Sequence, residues 1–107
     1  VRVPVKTSHS ESVNVEFEND YDLETVKKIL QNAPGCKVID EQKDGGYITP
    51  VEAEGEYLPF ISRIRKDNSN KKAINLWVVS DNLRKGAALN TVQIAETLAR
   101  SFLNKVA

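Results

Sequence analysis

Methionine is absent from the chain, and cysteine, histidine and tryptophan occur once each, as Cys36, His9 and Trp77. A single cysteine excludes an internal disulfide and is in keeping with a reducing, cytoplasmic setting. One cysteine and one histidine are too few for a zinc site of the usual ligand types, so no metal is expected. Charge of one sign is lacking as well: 15 Lys and Arg balance 15 Asp and Glu. Without a basic block to hold a polyanion, nucleic acid is not an expected partner. No apolar run approaches the roughly 20 residues of a membrane helix. The start also lacks the basic-then-apolar layout of a signal peptide, so a membrane is not an expected partner either. The missing methionine extends to position 1, which leads to the expectation of a processed protein or part of a longer one.

What is present, 107 residues, is one domain or part of one, without repeats or linkers. At this length folding removes roughly two-thirds of the unfolded chain's surface from water, enough for a real core. Val13, Val15 and Phe17 alternate with Asn14, Glu16 and Glu18, as in a strand with one buried face. Asp20 and Asp22 offer N-cap oxygens to a helix with the stripe Leu23, Val26, Ile29, Leu30 and Ala33, stopped by Pro34-Gly35. Cys36 to Asp40 is a short strand, closed by the turn Asp44-Gly45-Gly46. Tyr47 to Gly55 has no period and is expected to be an ordered loop.

Phe60 to Lys66 and Ile74 to Val79 follow as two strands able to pair as a hairpin, the second apolar enough to be central. From Leu83 to Lys105 a long helix is predicted. Its stripe is Ala88, Val92, Ala95, Ala99, Phe102 and Val106, widened by Leu89, Ile94, Leu98 and Leu103. With the extended opening segment counted as a strand, the order predicts an α+β fold. Its sheet is mostly antiparallel, with two helices packed on it.

Three residues stand out for chemistry. Arg2 precedes His9 by seven positions, and if the first ten residues form an extended strand and turn, both can face one small cavity. A guanidinium fork matches a carboxylate in two bonds, and an imidazole exchanges protons near neutral pH. A solvated polar histidine is the plain alternative. Asn82 follows the buried strand where a helix starts, beside free backbone N–H groups able to bind an anion or amide. The plain alternative there is that Asp81 or Asn82 only caps the helix, with Gly86-Ala87-Ala88 packed against the sheet. On spacing alone both alternatives stay open.

Several motifs in order carry a resemblance. They are Arg2-Val3-Pro4-Val5, His9-Ser10-Glu11, Val15-Glu16-Phe17-Glu18, Asn32-Ala33-Pro34-Gly35 and Gly46-Tyr47-Ile48-Thr49-Pro50-Val51-Glu52-Ala53. Then come Arg63-Ile64-Arg65-Lys66-Asp67, Asn75-Leu76-Trp77-Val78-Val79, and Asp81-Asn82-Leu83-Arg84-Lys85-Gly86-Ala87-Ala88-Leu89-Asn90. Together the chain resembles the C-terminal part of the catalytic and dimerisation domain of bacterial aspartate-semialdehyde dehydrogenases. The resemblance implies a glyceraldehyde-3-phosphate-dehydrogenase-like catalytic domain, with residues 1–107 ending in the helix that returns to a nucleotide-binding domain. It also implies reductive dephosphorylation of L-aspartyl 4-phosphate with NADPH, feeding lysine, threonine and methionine synthesis, in a homodimer. Carried over by position, His9 is the acid/base, Arg2 grips the substrate carboxylate and Asn82 lies beside the nicotinamide.

Two parts of such an enzyme are not in this sequence: the glycine-rich nucleotide turn and the nucleophilic cysteine, which the resemblance puts before Val1. Cys36, just after Pro34-Gly35, is expected to be a small core hydrophobe and not a substitute nucleophile. The chain alone is therefore expected to be inactive. Arg63 and Arg65 offer phosphate contacts or simply a solvated strand face, Glu11 is an optional support for His9, and Trp77 is expected in the core. The rival from another class is a non-catalytic α+β module for ligand binding or assembly.

Overall fold

The computed structural model describes residues 1–103 and forms one mixed four-stranded sheet. The strands are β1 (His9–Glu16), β2 (Lys37–Val38), β3 (Phe60–Lys66) and β4 (Ala73–Ser80). Their order is β1-β4-β3-β2, with β4 antiparallel to both neighbours and β2 parallel to β3. The expectation of an α+β fold with a mostly antiparallel sheet holds, with three refinements. Val1–Ser8 is not a separate strand, and β1 begins at His9, four residues before the alternating run. The sheet is mixed, because Lys37–Val38 lies parallel to Phe60–Ile61. There are three α-helices, α1 (Leu23–Asn32), α2 (Pro50–Ala53) and α3 (Leu89–Ser101).

Helix α1 starts where Asp22 accepts the Thr25 N–H at 2.8 Å and ends at Ala33, where Pro34 cannot continue it. Its stripe covers one sheet face, with Leu23, Val26 and Leu30 packed on Ile61, Ile64, Ile74 and Leu76. Ile29, expected in that stripe, points to solvent. Helix α2 replaces the expected loop at 47–55. Its signal is a Thr-x-x-Glu capping box: Glu52 Oε2 accepts from the Thr49 N–H and hydroxyl, each at 2.7 Å. Pro50 suits the first turn. Ala53 then packs with Phe60 and Val79 on the other face, joined by half-buried Trp77, whose Nε1 donates to the Ile48 carbonyl at 2.9 Å.

A bulge shifts the β3–β4 register between Ser62 and Arg65. There Arg63 has a left-handed φ of 52°, and the Ile64 N–H turns from the ladder to Asp40 Oδ1 at 3.2 Å. The predicted single helix from Leu83 begins instead as a π-helical turn, Arg84–Ala88, before α3. The expected end at Lys105 and the stripe residue Val106 lie outside the described residues. No α3 residue is buried, and Val92, Ile94, Leu98 and Phe102 stay half or more exposed. The expectation of two helices packed on the sheet thus holds for α1 but not for α3. The radius of gyration reflects this: 16.1 Å, against about 13 Å for a compact chain of similar length.

Candidate active site

The segment before β1 folds back along it. The Val1 nitrogen donates to the Ser10 carbonyl at 2.9 Å and the Val5 N–H to the Val3 carbonyl at 2.9 Å. Between this segment and the start of β1 lies a hollow of about 230 Å³, with Arg2, Ser8, His9 and Ser10 in its wall. Arg2 and His9 therefore line one cavity, brought there by the fold-back of the opening segment and not by an extended strand. Arg2 makes no ion pair among the described residues, so its guanidinium is free to take a carboxylate.

His9 opens β1 and shares a strand face with Glu11. Its Nδ1 lies 3.2 Å from Glu11 Oε1. That contact directs Nδ1 to the carboxylate and leaves Nε2 without a hydrogen-bond partner among the described residues. Both side chains are more than half exposed, so the pair itself adds little stability.

Asn82 meets the same end of the sheet from β4. His9 pairs with Ser80 across the ladder, and two residues on, Asn82 Oδ1 accepts the Ser8 N–H at 2.7 Å. The amide's Nδ2 donates to nothing among the described residues. Asp81 fills the capping role that had been open to either residue. It is buried, with Oδ1 accepting from the N–H groups of Leu83 and Arg84 (2.8 and 3.0 Å) and Oδ2 from that of Gly55 (2.8 Å). These bonds, that from Gly55 foremost, hold its carboxyl below the ordinary carboxylate range. The Arg84 guanidinium lies 4.6 Å over the Tyr57 ring, closing the same junction.

Some of this was out of reach of sequence reasoning. Ser8 adopts a left-handed φ of 74°, which no residue type announces in a non-glycine. The hydroxyls of Thr7, Ser8 and Ser10 are buried without partners, and Ser10 is only 1 % exposed. For Asp81 a signal existed, since Asp at the end of a strand before a helix is a strong cap.

The remaining candidates resolve more plainly. Cys36 is half-buried against the α1-side core, its Sγ 3.6 Å from the Leu30 carbonyl oxygen, as a small hydrophobe would be. Arg63 lies 5.4 Å over the Tyr47 ring, and Arg65 Nη1 donates to the Arg63 carbonyl at 2.8 Å. The hollow that both arginines line also holds Lys43 together with Asp40, Glu41 and Asp44, so its charges balance and it carries no net pull on phosphate. No cluster of three or more metal-ligating side chains occurs among the described residues.

A cofactor amide finds a matching group here: the Asn82 Nδ2 donor is unspent. The small residue Gly86 keeps that side open, since a Cβ there would meet only Asn82 Cβ, at 3.6 Å. The described residues offer no glycine-rich turn for a dinucleotide's phosphates.

Comparison with known proteins adds to this geometry. The family model for the semialdehyde dehydrogenase dimerisation domain matches residues 1–85. Aspartate-semialdehyde dehydrogenase of Rickettsia bellii is 53% identical over 103 residues, 96% of this chain and 30% of that protein. The Aquifex aeolicus protein of the same name is 47% identical over the same shares. Among solved structures, aspartate semialdehyde dehydrogenase II of Vibrio cholerae complexed with ASA superposes with a TM-score of 0.84 at 42% identity. It matches 94% of this chain and 30% of its own. The chain thus spans about 30% of the length of the relatives it matches.

Proposed function

The chain belongs to the semialdehyde dehydrogenase family, as its dimerisation domain, and from that premise we propose that it is the C-terminal part of the catalytic domain of an aspartate-semialdehyde dehydrogenase. The observation that carries the proposal is that Arg2 and His9 line one small hollow, with Asn82 bonded to the residue before His9. The complete enzyme converts L-aspartyl 4-phosphate to L-aspartate 4-semialdehyde and phosphate, a step toward lysine, threonine and methionine, in the cytoplasm and as a homodimer. Helix α3 is the one that returns to the nucleotide-binding domain of the complete enzyme, a role that fits its uncovered apolar side.

Each residue has a task suited to its chemistry. Arg2 holds the substrate carboxylate in a two-bond fork, keeping the acyl carbon within reach of a cysteine thiol elsewhere in the enzyme. His9, through Nε2, takes the thiol proton so that the thiolate attacks the acyl phosphate and phosphate leaves. Hydride addition to the thioester carbon gives an oxyanion that the protonated imidazole stabilises. The oxyanion collapses to the semialdehyde as the C–S bond breaks, and the departing thiolate takes back the proton from His9. Asn82, with its Nδ2 donor unspent, would hold a nicotinamide carboxamide. NADPH, when bound, supplies the hydride.

His9→Asn in the complete enzyme tests the reading. Turnover falls at least about 100-fold while substrate still binds; retained turnover sinks the acid/base role. Arg2→Lys raises KM for substrate with a smaller effect on kcat, because an ammonium cannot reproduce the fork.

A further inference from the structure

We propose that Asn82 is a positioning residue for His9: by accepting the Ser8 N–H it fixes the turn from which the imidazole enters β1. The inference rests on the acid/base role proposed for His9 and deepens it. The bond is 2.7 Å long and joins residues 74 apart in sequence. Ser8 has φ 74°, in a region that L side chains disfavour, so its peptide is held against a local preference to relax. The following residue is His9, the first of β1, paired with Ser80. The direction in which the imidazole leaves the backbone therefore depends on the Ser8 torsions, and the acceptor of the Ser8 N–H is Asn82.

That acceptor is itself held firmly. Its neighbour Asp81, 4 % exposed, takes the N–H groups of Gly55, Leu83 and Arg84 and so immobilises the backbone on both sides of Asn82. Glu11, the other anchor for the ring, meets it side chain to side chain, whereas Asn82, itself exposed, acts on the main chain that carries the ring. The amide of Asn82 then has two tasks, with Oδ1 on Ser8 and Nδ2 left for the cofactor. One side chain thereby ties the seat of the cofactor to the placement of the acid/base, where a misplacement of about 1 Å can cost ~100-fold in rate.

A double-mutant cycle in the complete enzyme, at saturating NADPH, separates positioning from cofactor binding. Asn82→Ala lowers kcat about 10- to 100-fold, and Asn82→Asp, which keeps an oxygen facing Ser8, recovers most of that loss. In the His9→Asn background the same Asn82→Ala change costs less than about threefold, because it acts through a ring that is no longer there. In cofactor-free enzyme, Asn82→Ala moves the His9 ring resonances in the NMR spectrum. The proposal is overturned by an equal kcat loss with and without His9, or by unmoved ring resonances. If His9→Asn alone leaves kcat intact, the acid/base reading fails first, a result distinct from a cycle that is merely additive. Should Asn82→Ala not fold, Asn82→Ser, too short to reach Ser8, replaces it in the cycle.

Discussion

The two ends of the β1–β4 ladder share one backbone pairing and are finished in opposite ways. At the Glu16–Ala73 end, Asp67 closes the turn with every available lone pair engaged. Its Oδ1 accepts the Ser69 N–H and hydroxyl (2.7 and 2.6 Å) and the Asn70 N–H (3.3 Å). Its Oδ2 accepts from Asn14 and Asn75, which face each other across the strands. At the His9–Ser80 end, Ser8 is left-handed, three hydroxyls lack partners, and a hollow opens beside Arg2. Buried hydroxyls are ordinarily paired, so the second end is the one with polar groups to spare. That contrast is what the proposed site at this end draws on.

Asp81 is the exception that holds the open end together, and removing it gives the largest expected stability effect. Asp81→Ala strips the acceptor from three backbone N–H groups around a buried carboxylate. Leaving such donors unpaired costs about 2–4 kcal/mol in total, allowing for partial rescue by water. Amide exchange at Gly55, Leu83 and Arg84 then accelerates, and unchanged exchange refutes the clamp. Asp67→Ala, at the exposed end, has a smaller effect because water reaches its partners.

The same two carboxylates give the ladder a pH dependence of definite sign. Both have folded-state pKa values below the ordinary 3.8, through the Ser69 hydroxyl at Asp67 and the Gly55 N–H at Asp81. Their stabilisation is fully present above the unfolded-state value and is lost as pH falls through the folded-state ones. Acid unfolding therefore steepens below about pH 4. Asp81→Asn and Asp67→Asn each flatten that limb of a stability–pH curve; an unaltered limb in both would remove the carboxylates from the account.

Ser8 supplies the next step down. Ser8→Val places a β-branched side chain at a left-handed φ and costs about 1–2 kcal/mol. Ser8→Gly relieves the same torsion and leaves stability within about 0.5 kcal/mol, since the flexible glycine loses more entropy on folding. Equal melting temperatures for the two variants would mean that the turn is not strained.

Much of this was legible in the sequence where a local rule acts alone. The α1 stripe ends at Pro34 and β4 reads as an apolar run, whereas Arg2 and His9 reach one hollow through a turn at Ser8 that no local rule announces. Local signals also explain the one missed helix, since Thr49 and Glu52 form a capping box that the lack of periodicity concealed. What stayed hidden depends on partners distant in sequence. Ser8 turns left-handed because Asn82 arrives 74 residues later, and Ile64 leaves the ladder because Asp40 offers it an acceptor. Helix α3 was read correctly as amphipathic, but periodicity does not say what a stripe packs against.

Cys36 lies off both ends of the ladder and provides the control, with the smallest expected effect. Its thiol is half-buried between the end of α1 and β2, facing the carbonyls of Leu30 and Ala33 at 3.6 and 3.9 Å. Among the described residues its hydrogen-bonding contacts are to those two carbonyls. Cys36→Ala then removes one small apolar contact at about 1 kcal/mol or less and leaves kcat of the complete enzyme unchanged. A loss of several orders of magnitude would instead make Cys36 the nucleophile and move the chemistry away from the His9 end. A small drop in melting temperature with full turnover keeps the chemistry at the end where the hydroxyls, Arg2 and His9 lie together.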